Sequence, residues 1–375
     1  MGAPATVRLF IAMNRPLIVD AHEDLAWNML VLGRDYRRSA LETRALEQGT
    51  ENVVRNGETL LGWPEYQEGR VAIVFGTLFA TPKRRVLGAW DTQSYETFDE
   101  AHRLYRAQLA AYHMLTDRSP DQFCLIGSRA DLESVLADWQ TEKDSHPVGL
   151  VVLMEGAEGI RKPSELEEWW QMGLRIIGLA WAGTRFCGGT REPGPLTPDG
   201  RLLLKGMAEI GFGLDLSHMD EQAALQALDS YPGPMIASHA NPAAAVAGYE
   251  GNRLLSEAVL RGLIERDGIV GVVPYARFLK AGWTESDGRA GITLANLVAM
   301  IDHVCQRAGD ARHVGIGSDF DGGFGLSCVP ADLDTIADLQ KLVPLLRERG
   351  YSGEDVAAIM GGNWCEYLRA NLPEA

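Results

Sequence analysis

Short runs of apolar and β-branched residues recur along the chain, and polar residues follow most of them directly. The first run lies within residues 17–24, LIVDAHED, and ends in His22, Glu23 and Asp24. An apolar run that stops at a polar cluster is typical of a buried strand that emerges at one face of a sheet. We predict seven further strands of this kind, at residues 71–76, 149–154, 174–180, 213–217, 235–238, 269–273 and 314–318.

Segments with helical spacing separate these runs. We predict helices near residues 99–115, 163–172, 200–210, 220–229, 253–267, 291–307 and 331–349, and two more within residues 350–372. Strands that alternate with helices specify a parallel sheet, and eight such units favour an α/β fold, the (β/α)8 TIM barrel. An open doubly wound sheet is the alternative, but no G-x-G-x-x-G sequence follows the first strand.

The composition shows no break that would mark a second domain. We therefore expect residues 1–375 to form a single barrel domain, with the two C-terminal helices packed outside it. The segment 183–199 is rich in Gly, Pro and Thr and lacks periodicity, so it is predicted to be a loop.

Catalytic residues of such a barrel lie at the carboxyl ends of its strands. His22 and Asp24 are two residues apart, so an extended backbone directs both side chains to the same side. For a single histidine at a strand end, a hydrogen-bonded rim residue is the ordinary alternative, but it accounts poorly for a whole set. The metal-binding or acid–base side chains at the predicted strand ends are His22, Asp24, Glu155, His218, His239 and Asp319.

This set of side chains is suited to metal chemistry. Three histidines with two or three carboxylates exceed the needs of one catalytic zinc, which usually takes three protein ligands and water. They suit two metals about 3.5–4 Å apart that share one carboxylate and a hydroxide. Imidazole with carboxylate favours zinc, while manganese, iron and cobalt stay open. We therefore expect two divalent metals per chain, with Zn2+ as the first choice.

Charge and cysteine content narrow the partners and the compartment. The formal net charge of −16 argues against nucleic acid or an anionic membrane as a partner. The five cysteines are scattered and form no C-x-x-C pair, as in proteins of a reducing compartment. No apolar run reaches the 18 residues of a spanning helix, and the N-terminal residues lack a signal-peptide core. We expect a cytoplasmic protein, and its oligomeric state, with a homodimer as one option, stays open.

Six motifs extend over nearly the whole chain: DAHEDL (20–25), MEGAE (154–158), GLDLSHMD (213–220), SHANP (238–242), HVGIGSDFDG (313–322) and GGNW (361–364). In this order they resemble the membrane dipeptidase (renal dipeptidase) family of the amidohydrolase superfamily. The resemblance implies a barrel with a binuclear zinc centre. His22 and Asp24 would hold one metal, His218 and His239 would hold the other, and Glu155 would bridge them.

The same resemblance implies residues that act on the substrate. Asp319 would accept a hydrogen bond from the free amine of the substrate or shuttle the proton, so that Asp319 and Glu155 are the catalytic carboxylates. Arg253 matches the family arginine that grips the substrate carboxylate; an exposed arginine at a helix start is the alternative. Tyr275 follows the seventh strand, where the family lines its pocket with an aromatic residue.

Two strand ends differ from the family pattern. The family has Leu-Thr-His after the fourth strand, and that histidine contacts the scissile carbonyl, whereas this chain has LAW at 179–181. The family's Gln-Phe-Trp after the second strand is replaced by VFG at 74–76. We expect Trp181 to reshape the substrate pocket and to make ordinary dipeptides poor substrates. A rim residue packed against the 183–199 loop is the alternative.

These expectations describe a metal-dependent hydrolase of the dipeptidase type. It would cleave the amide bond of a small dipeptide by a metal-activated bridging hydroxide. Another amidohydrolase reaction, such as hydrolysis of an N-acyl amino acid or a lactone, is the first alternative. A catalytically idle relative that uses the barrel for ligand binding or assembly is the second. Metal content separates the idle relative from the two enzymes, and a dipeptide panel separates the enzymes from each other.

Overall fold

Parallel strands form a closed barrel at the centre of the fold. The computed structural model describes residues 15–374, and the ends of the predicted domain, residues 1–14 and 375, lie outside the described residues. Within this range the barrel strands are β1 (Ile18–Glu23), β2 (Val71–Leu78), β3 (Val148–Glu155), β4 (Leu174–Gly178), β5 (Gly213–Asp215), β6 (Met235–Ala237), β7 (Ile269–Val272) and β8 (Val314–Ile316). Each strand pairs in parallel with the next, and β8 pairs with β1. The predicted (β/α)8 barrel is confirmed.

The barrel strands are buried on both faces. Every residue of β1, β2 and β3 is buried, which explains why these strands appear in the sequence as continuous apolar runs without alternation. Close backbone contacts bring β6, β7 and β8 together at their carboxyl ends. A Cβ atom at Gly271 or Gly317 would lie only 1.9 or 1.8 Å from the carbonyl oxygen of Ser238. These glycines therefore hold three strand ends close together beside the candidate site.

Helices cover the outside of the barrel at each predicted place. They are Phe98–Arg118, Leu166–Gln171, Pro198–Ile210, Glu221–Ser230, Glu257–Glu265, Leu294–Ala308 and Leu342–Glu348. Short 3-10 turns precede two of them, at Pro163–Glu165 and Ile336–Lys341. Thr97 and Glu100 form a capping box at the start of the longest helix.

Further helices lie at places where we predicted none. They are Leu25–Val31, Ala40–Glu47, Glu51–Asn56, Trp63–Gly69, Arg129–Asp138 and Ala276–Leu279, with 3-10 turns at Lys83–Arg85, Ala243–Ala245, Glu285–Asp287 and Leu326–Cys328. Four of these helices lie between β1 and β2 and lengthen the first connection of the barrel. No helix within residues 15–374 has both the length and the apolar character needed to cross a membrane.

Two local predictions are wrong. The segment 183–199 is not an irregular loop, because Cys187–Gly189 and Glu192–Leu196 pair as an antiparallel hairpin. β2 continues to Leu78, so residues 74–76 lie inside the strand and not after its end. Residues 77–79 occupy the end of β2 instead. Other short strands are Phe123–Leu125, which pairs with β3, and the pair Thr81–Pro82 and Ser94–Tyr95.

The C-terminal helices pack outside the barrel as predicted. Gly353–Ala357 and Asn363–Asn371 are joined by a π-helical turn, Ala358–Gly362. Trp364 Nε1 donates to the carbonyl oxygen of Ile316 at 3.0 Å, and Asn363 Nδ2 donates to that of Val314 at 2.7 Å. The GGNW motif therefore anchors the last helix to β8 and has a structural role.

Candidate metal centre

Strand ends bring all six predicted metal or acid–base side chains into one cluster. Their ligand-type atoms form three overlapping groups, and within each group all atoms lie within 4.8 Å of one another. The groups are His22 with Asp24 and Glu155; Glu155 with His218 and His239; and His22 with His239 and Asp319. Glu155 therefore belongs both to the group of β1 and to the group that contains His218 and His239.

Short contacts join the three members of the second group. Nε2 of His218 lies 2.9 Å from Nε2 of His239 and 3.0 Å from Oε1 of Glu155. Nε2 of His239 is 3.5 Å from the same carboxylate oxygen. If each imidazole carries its proton on Nδ1, these three atoms direct lone pairs at one another. A cation between them would turn that repulsion into attraction.

Several polar atoms of the cluster are buried without a hydrogen-bond partner. Within residues 15–374 they include Nε2 of His22, Oδ1 of Asp24 and Oε1 of Glu155. The three residues are only 0%, 7% and 4% exposed. An unsatisfied buried polar atom costs about 1–3 kcal/mol. Because these atoms belong to the ligand types that zinc prefers, the residues fit a site for divalent metal.

Burial sets the protonation state of the histidines. It lowers the pKa of His22 to about 3, and the positive charge of Arg253 adds to this shift. Burial likewise lowers the pKa of His218 and of His239 well below the ordinary value. All three imidazoles are therefore neutral near pH 7, which is the form that binds metals.

The carboxyl groups shift in the opposite direction. Burial, followed by the negative charge of Asp321, raises the pKa of Asp24 to about 7. Burial and the charge of Asp24 raise the pKa of Glu155 and of Asp319 well above the ordinary range. Several carboxylates would thus repel one another in a buried space, and bound cations would offset that repulsion.

The Nδ1 atoms of the histidines contact hydroxyl groups. Nδ1 of His218 lies 2.9 Å from Oγ1 of Thr190 in the 187–196 hairpin. Nδ1 of His239 lies 2.9 Å, and Nδ1 of His22 3.4 Å, from Oγ of Ser238. Asp215 in turn accepts a hydrogen bond from Ser238. Sequence reasoning missed Thr190, Ser238 and Asp215, although the last two lie inside the quoted motifs.

Backbone geometry turns two of the site residues inward. His218 has φ 65° and Asp319 has φ 57°, in the left-handed region that residues with a Cβ rarely adopt. Such conformations cost about 1–3 kcal/mol and persist where the surrounding structure enforces them. Gly322 provides the space for Asp319, because a Cβ at 322 would lie 2.0 Å from Oδ1 of Asp319. That Oδ1 atom is 4.0 Å from Nε2 of His22.

Arg253 is buried beside the cluster. It lies in the loop after β6, four residues before the helix Glu257–Glu265, and is 7% exposed. Nη2 donates to the carbonyl oxygen of His239 at 2.8 Å, and the guanidinium lies over the ring of Phe278 at 5.0 Å. Nε and Nη1 have no hydrogen-bond partner among the described residues. The alternative of an exposed arginine at a helix start is therefore wrong.

Aromatic side chains line two sides of the site. Tyr275 stacks on Phe324, with ring centroids 4.3 Å apart, and meets the edge of Phe278 at 4.9 Å. Trp181, half-buried after β4, lies 5.1 Å from the ring of Phe79 and 6.3 Å from that of His218. Trp181 thus faces the metal cluster, and its carbonyl oxygen also accepts from the backbone N–H of Thr190 in the hairpin. Phe79 was missed because the end of β2 was placed too early.

Known proteins with similar sequences include bacterial and fungal ones. A Klebsiella pneumoniae protein, described as an uncharacterized protein in the pqqA 5' region, is 30% identical over 274 residues, which cover 70% of this chain and 94% of that protein. An uncharacterized dipeptidase of Schizosaccharomyces pombe is 32% identical over 220 residues, 56% of this chain and 51% of the yeast protein. The chain thus spans about half the length of the yeast relative.

Solved structures share the fold. A metallo peptidase from Rhodobacter sphaeroides, liganded with a phosphinate mimic of the dipeptide L-Ala-D-Ala, matches with a TM-score of 0.75 at 22% identity, over 95% of this chain and 99% of that one. The probable dipeptidase PvdM from Pseudomonas aeruginosa matches with a TM-score of 0.75 at 19% identity, over 100% of both chains. The family model of the membrane dipeptidases, peptidase family M19, matches residues 10–371. The chain therefore belongs to the membrane dipeptidase family, as its motifs predict, and is a metal-dependent hydrolase of the dipeptidase type.

Proposed function

We propose that the protein hydrolyses the amide bond of a small dipeptide that carries a free amine and a free carboxylate. One observation carries this proposal. A buried cluster of ligand-type atoms without hydrogen-bond partners lies beside a buried guanidinium, two of whose nitrogens also lack partners among the described residues. His22, Asp24 and Glu155 supply the unpaired ligand atoms, and Arg253 supplies the guanidinium. A substrate with one carboxylate and a nearby carbonyl would satisfy both features at once.

In this proposal two divalent metals bind per chain, with zinc favoured by the mixture of imidazole and carboxylate ligands. His22 and Asp24 would hold one metal, His218 and His239 would hold the other, and Glu155 would contribute to both. When bound, the metals polarise the scissile carbonyl and activate water near neutral pH. The chain supplies neutral imidazoles that are already directed at the metal positions.

Arg253 binds the substrate carboxylate through Nε or Nη1, each of which lacks a partner among the described residues. Its Nη2 bond to the carbonyl oxygen of His239 fixes the guanidinium beside the metal ligands at 2.8 Å. One of these donors and the second N–H of Nη2 lie on the same edge of the planar guanidinium and match a carboxylate in bidentate geometry. Tyr275 lines the pocket together with Phe278 and Phe324, which border this carboxylate position.

Asp319 binds the free amine of the substrate and supplies a proton to the leaving nitrogen. Its carboxyl group lies across the cluster near Nε2 of His22, at 4.0 Å. The leaving nitrogen must gain a proton when the amide bond breaks, and a positioned carboxyl group can supply it. The same group accepts a hydrogen bond from the free amine of the substrate.

A second reaction at the same site is favoured by Trp181. This ring stands 6.3 Å from that of His218, at a strand end where the family resemblance calls for a histidine. An N-acyl amino acid retains the carboxylate for Arg253 and replaces the free amine by an apolar group that an aromatic wall would accept. An idle relative is disfavoured because all six cluster residues come together in groups that could hold a metal ion.

We also propose that residues 1–375 form a single domain and that the protein acts in the cytoplasm. One cluster of buried apolar residues extends from Leu17 to Leu372. All five cysteines are unpaired, and four of them are buried, as is usual in a reducing compartment.

Hydrolysis assays test the proposed function. Zinc-supplemented protein is assayed on dipeptides, on their N-acetylated forms and on their C-terminal amides, before and after treatment with a chelator. We expect hydrolysis that requires a free carboxylate, disappears with the chelator and returns with zinc. Activity that is unaffected by metal removal, or no activity on any of these amides, would contradict the proposal.

A further inference from the structure

One hydroxyl group lies between histidines that the proposed function assigns to different metals. Oγ of Ser238 is 2.9 Å from Nδ1 of His239 and 3.4 Å from Nδ1 of His22. Ser238 is 0% exposed, and its other polar neighbours are the hydroxyl of Ser217 at 3.3 Å and the carboxyl group of Asp215. Nδ1 of His22 has no other hydrogen-bond partner in the part of the chain that the structure describes.

Asp215 fixes the direction of the Ser238 hydroxyl. Oδ1 of Asp215 accepts from the backbone N–H groups of Ser217 at 2.9 Å and Ser238 at 2.8 Å. Oδ2 accepts from the hydroxyl of Ser238 at 2.5 Å. A carboxylate can only accept, so the single proton of this hydroxyl is directed at Asp215.

The direction of this hydroxyl proton determines the tautomer of both imidazoles. Because its proton is engaged, Oγ of Ser238 can only accept from His22 and His239. Each imidazole must then carry its proton on Nδ1 and keep the lone pair of Nε2 free. Nε2 is the atom that each ring directs at a cluster carboxylate, Asp319 for His22 and Glu155 for His239.

His218 depends on different groups. Its Nδ1 lies 2.9 Å from Oγ1 of Thr190, and the backbone of Trp181 also hydrogen-bonds to it. Ser238 therefore contacts one ligand of each proposed metal position, whereas Thr190 contacts a ligand of one position only. This difference provides a matched control within the same site.

We infer that Ser238, anchored by Asp215, is a shared positioning residue that sets the tautomer of His22 and His239 and thereby links the affinities of the two metal positions. The inference rests on the proposed function for the assignment of ligands to metals. Groups that orient a metal-binding histidine typically change metal affinity by about 10–100-fold when they are removed. The shorter contact to His239 implies the larger effect at that position.

The first test titrates metal-free protein with Zn2+ against a chromophoric chelator, which yields two dissociation constants per chain. Ser238→Ala should weaken both constants, one of them by about 10–100-fold. The control Thr190→Val should weaken at most one. A Ser238→Ala variant in which only one constant changes, or neither, would overturn the inference.

The second test reverses the hydrogen bond without changing the shape of the side chain. In Asp215→Asn, Oδ1 can still accept from the two backbone N–H groups, but the amide donates to Ser238. The hydroxyl proton then turns away from residue 215, and its nearest acceptor is Nδ1 of His239 at 2.9 Å. A hydrogen bond to that atom favours a proton on Nε2 of His239 and weakens metal binding there. We expect loss of zinc affinity together with a shift of the histidine 15N signals to the other tautomer.

Stability measurements separate this role from a purely structural one. The thermal midpoint of the zinc-free Asp215→Asn protein should stay near that of the wild type. Two unchanged zinc constants in Asp215→Asn would overturn the inference and leave the proposed function intact. Wild-type protein that binds no zinc would instead contradict the proposed function itself.

Discussion

Replacing Arg253 by methionine should weaken the hydrolysis of free dipeptides far more than that of their C-terminal amides. Methionine retains an unbranched chain that can pack on Phe278, and it removes the charge and all N–H donors. The wild-type guanidinium has two buried donors without a partner among residues 15–374, and these are available for a carboxylate. The substitution therefore removes a carboxylate-binding group with little change in volume.

The expected magnitude follows from the geometry. Loss of a charge-assisted hydrogen-bonded pair costs about 1.5–3 kcal/mol. At 1.36 kcal/mol per factor of ten, this is about a 10- to 160-fold fall in kcat/KM for the dipeptide. The variant also loses the 2.8 Å bond from Nη2 to the carbonyl oxygen of His239, and that loss affects all substrates alike. The ratio of the two substrates isolates the contribution of the carboxylate.

The assay measures kcat and KM for one dipeptide and its amide in the wild type, Arg253→Met and Arg253→Lys. We expect the penalty for the dipeptide mainly in KM, with Arg253→Lys intermediate because lysine retains the charge but not the planar fork. Equal penalties for the dipeptide and the amide would refute the reasoning. Arg253 would then only support His239.

Three further predictions concern the metal ligands, the aromatic wall and the acid. Glu155→Ala should lower the content of both metals and abolish activity, whereas His218→Ala should empty mainly one site. Elemental analysis of the two variants measures this difference. A Glu155→Ala protein with full metal content would refute the bridging role. The wild-type kcat on common dipeptides should stay below about 10 s−1, and Trp181→Ala should change the order in which a panel of substrates is preferred. Faster wild-type turnover, or an unchanged order of preference, would show that Trp181 does not set the substrate. Gly322→Ala should lower kcat by about 100-fold or more and leave the metal content unchanged. The reason is that the new Cβ would lie 2.0 Å from the carboxylate of Asp319 and displace it. An unchanged kcat would exclude a proton-transfer role for Asp319.

The barrel could be predicted because its strands are buried on both faces. A strand such as β2, with all eight residues buried, appears in the sequence as an uninterrupted apolar run. The end of β2 was misplaced because Gly76 resembles a strand terminator. In the structure Gly76 lies within the strand and makes room for Tyr112, whose ring carbon would be 2.9 Å from a Cβ. The close approach of a distant helix leaves no local signal.

The hairpin at 187–196 was hidden for a similar reason. A Cβ at Gly188 would lie 2.1 Å from the backbone nitrogen of Gly194, so tight backbone packing selects glycine where strand-forming residues are expected. The composition therefore suggests a loop, although the two segments pair.

The site separates into a predictable and an unpredictable part. The cluster residues could be predicted because they lie at or just beyond the carboxyl ends of barrel strands, and the topology of the barrel brings these ends together. The groups that orient the histidines could not. Thr190 is 28 residues from His218, and Ser238, although it directly precedes His239, is 216 residues from His22. A serine or threonine at such separations carries no signal until the strands are placed.

Anomalous diffraction at the zinc edge, from crystals of zinc-loaded protein, tests the central claim most directly. Our account predicts two peaks per chain, about 3.5–4 Å apart, one beside His22 and Asp24 and the other beside His218 and His239, with Glu155 between them. A single peak, no peak, or two peaks that do not share Glu155 would contradict it.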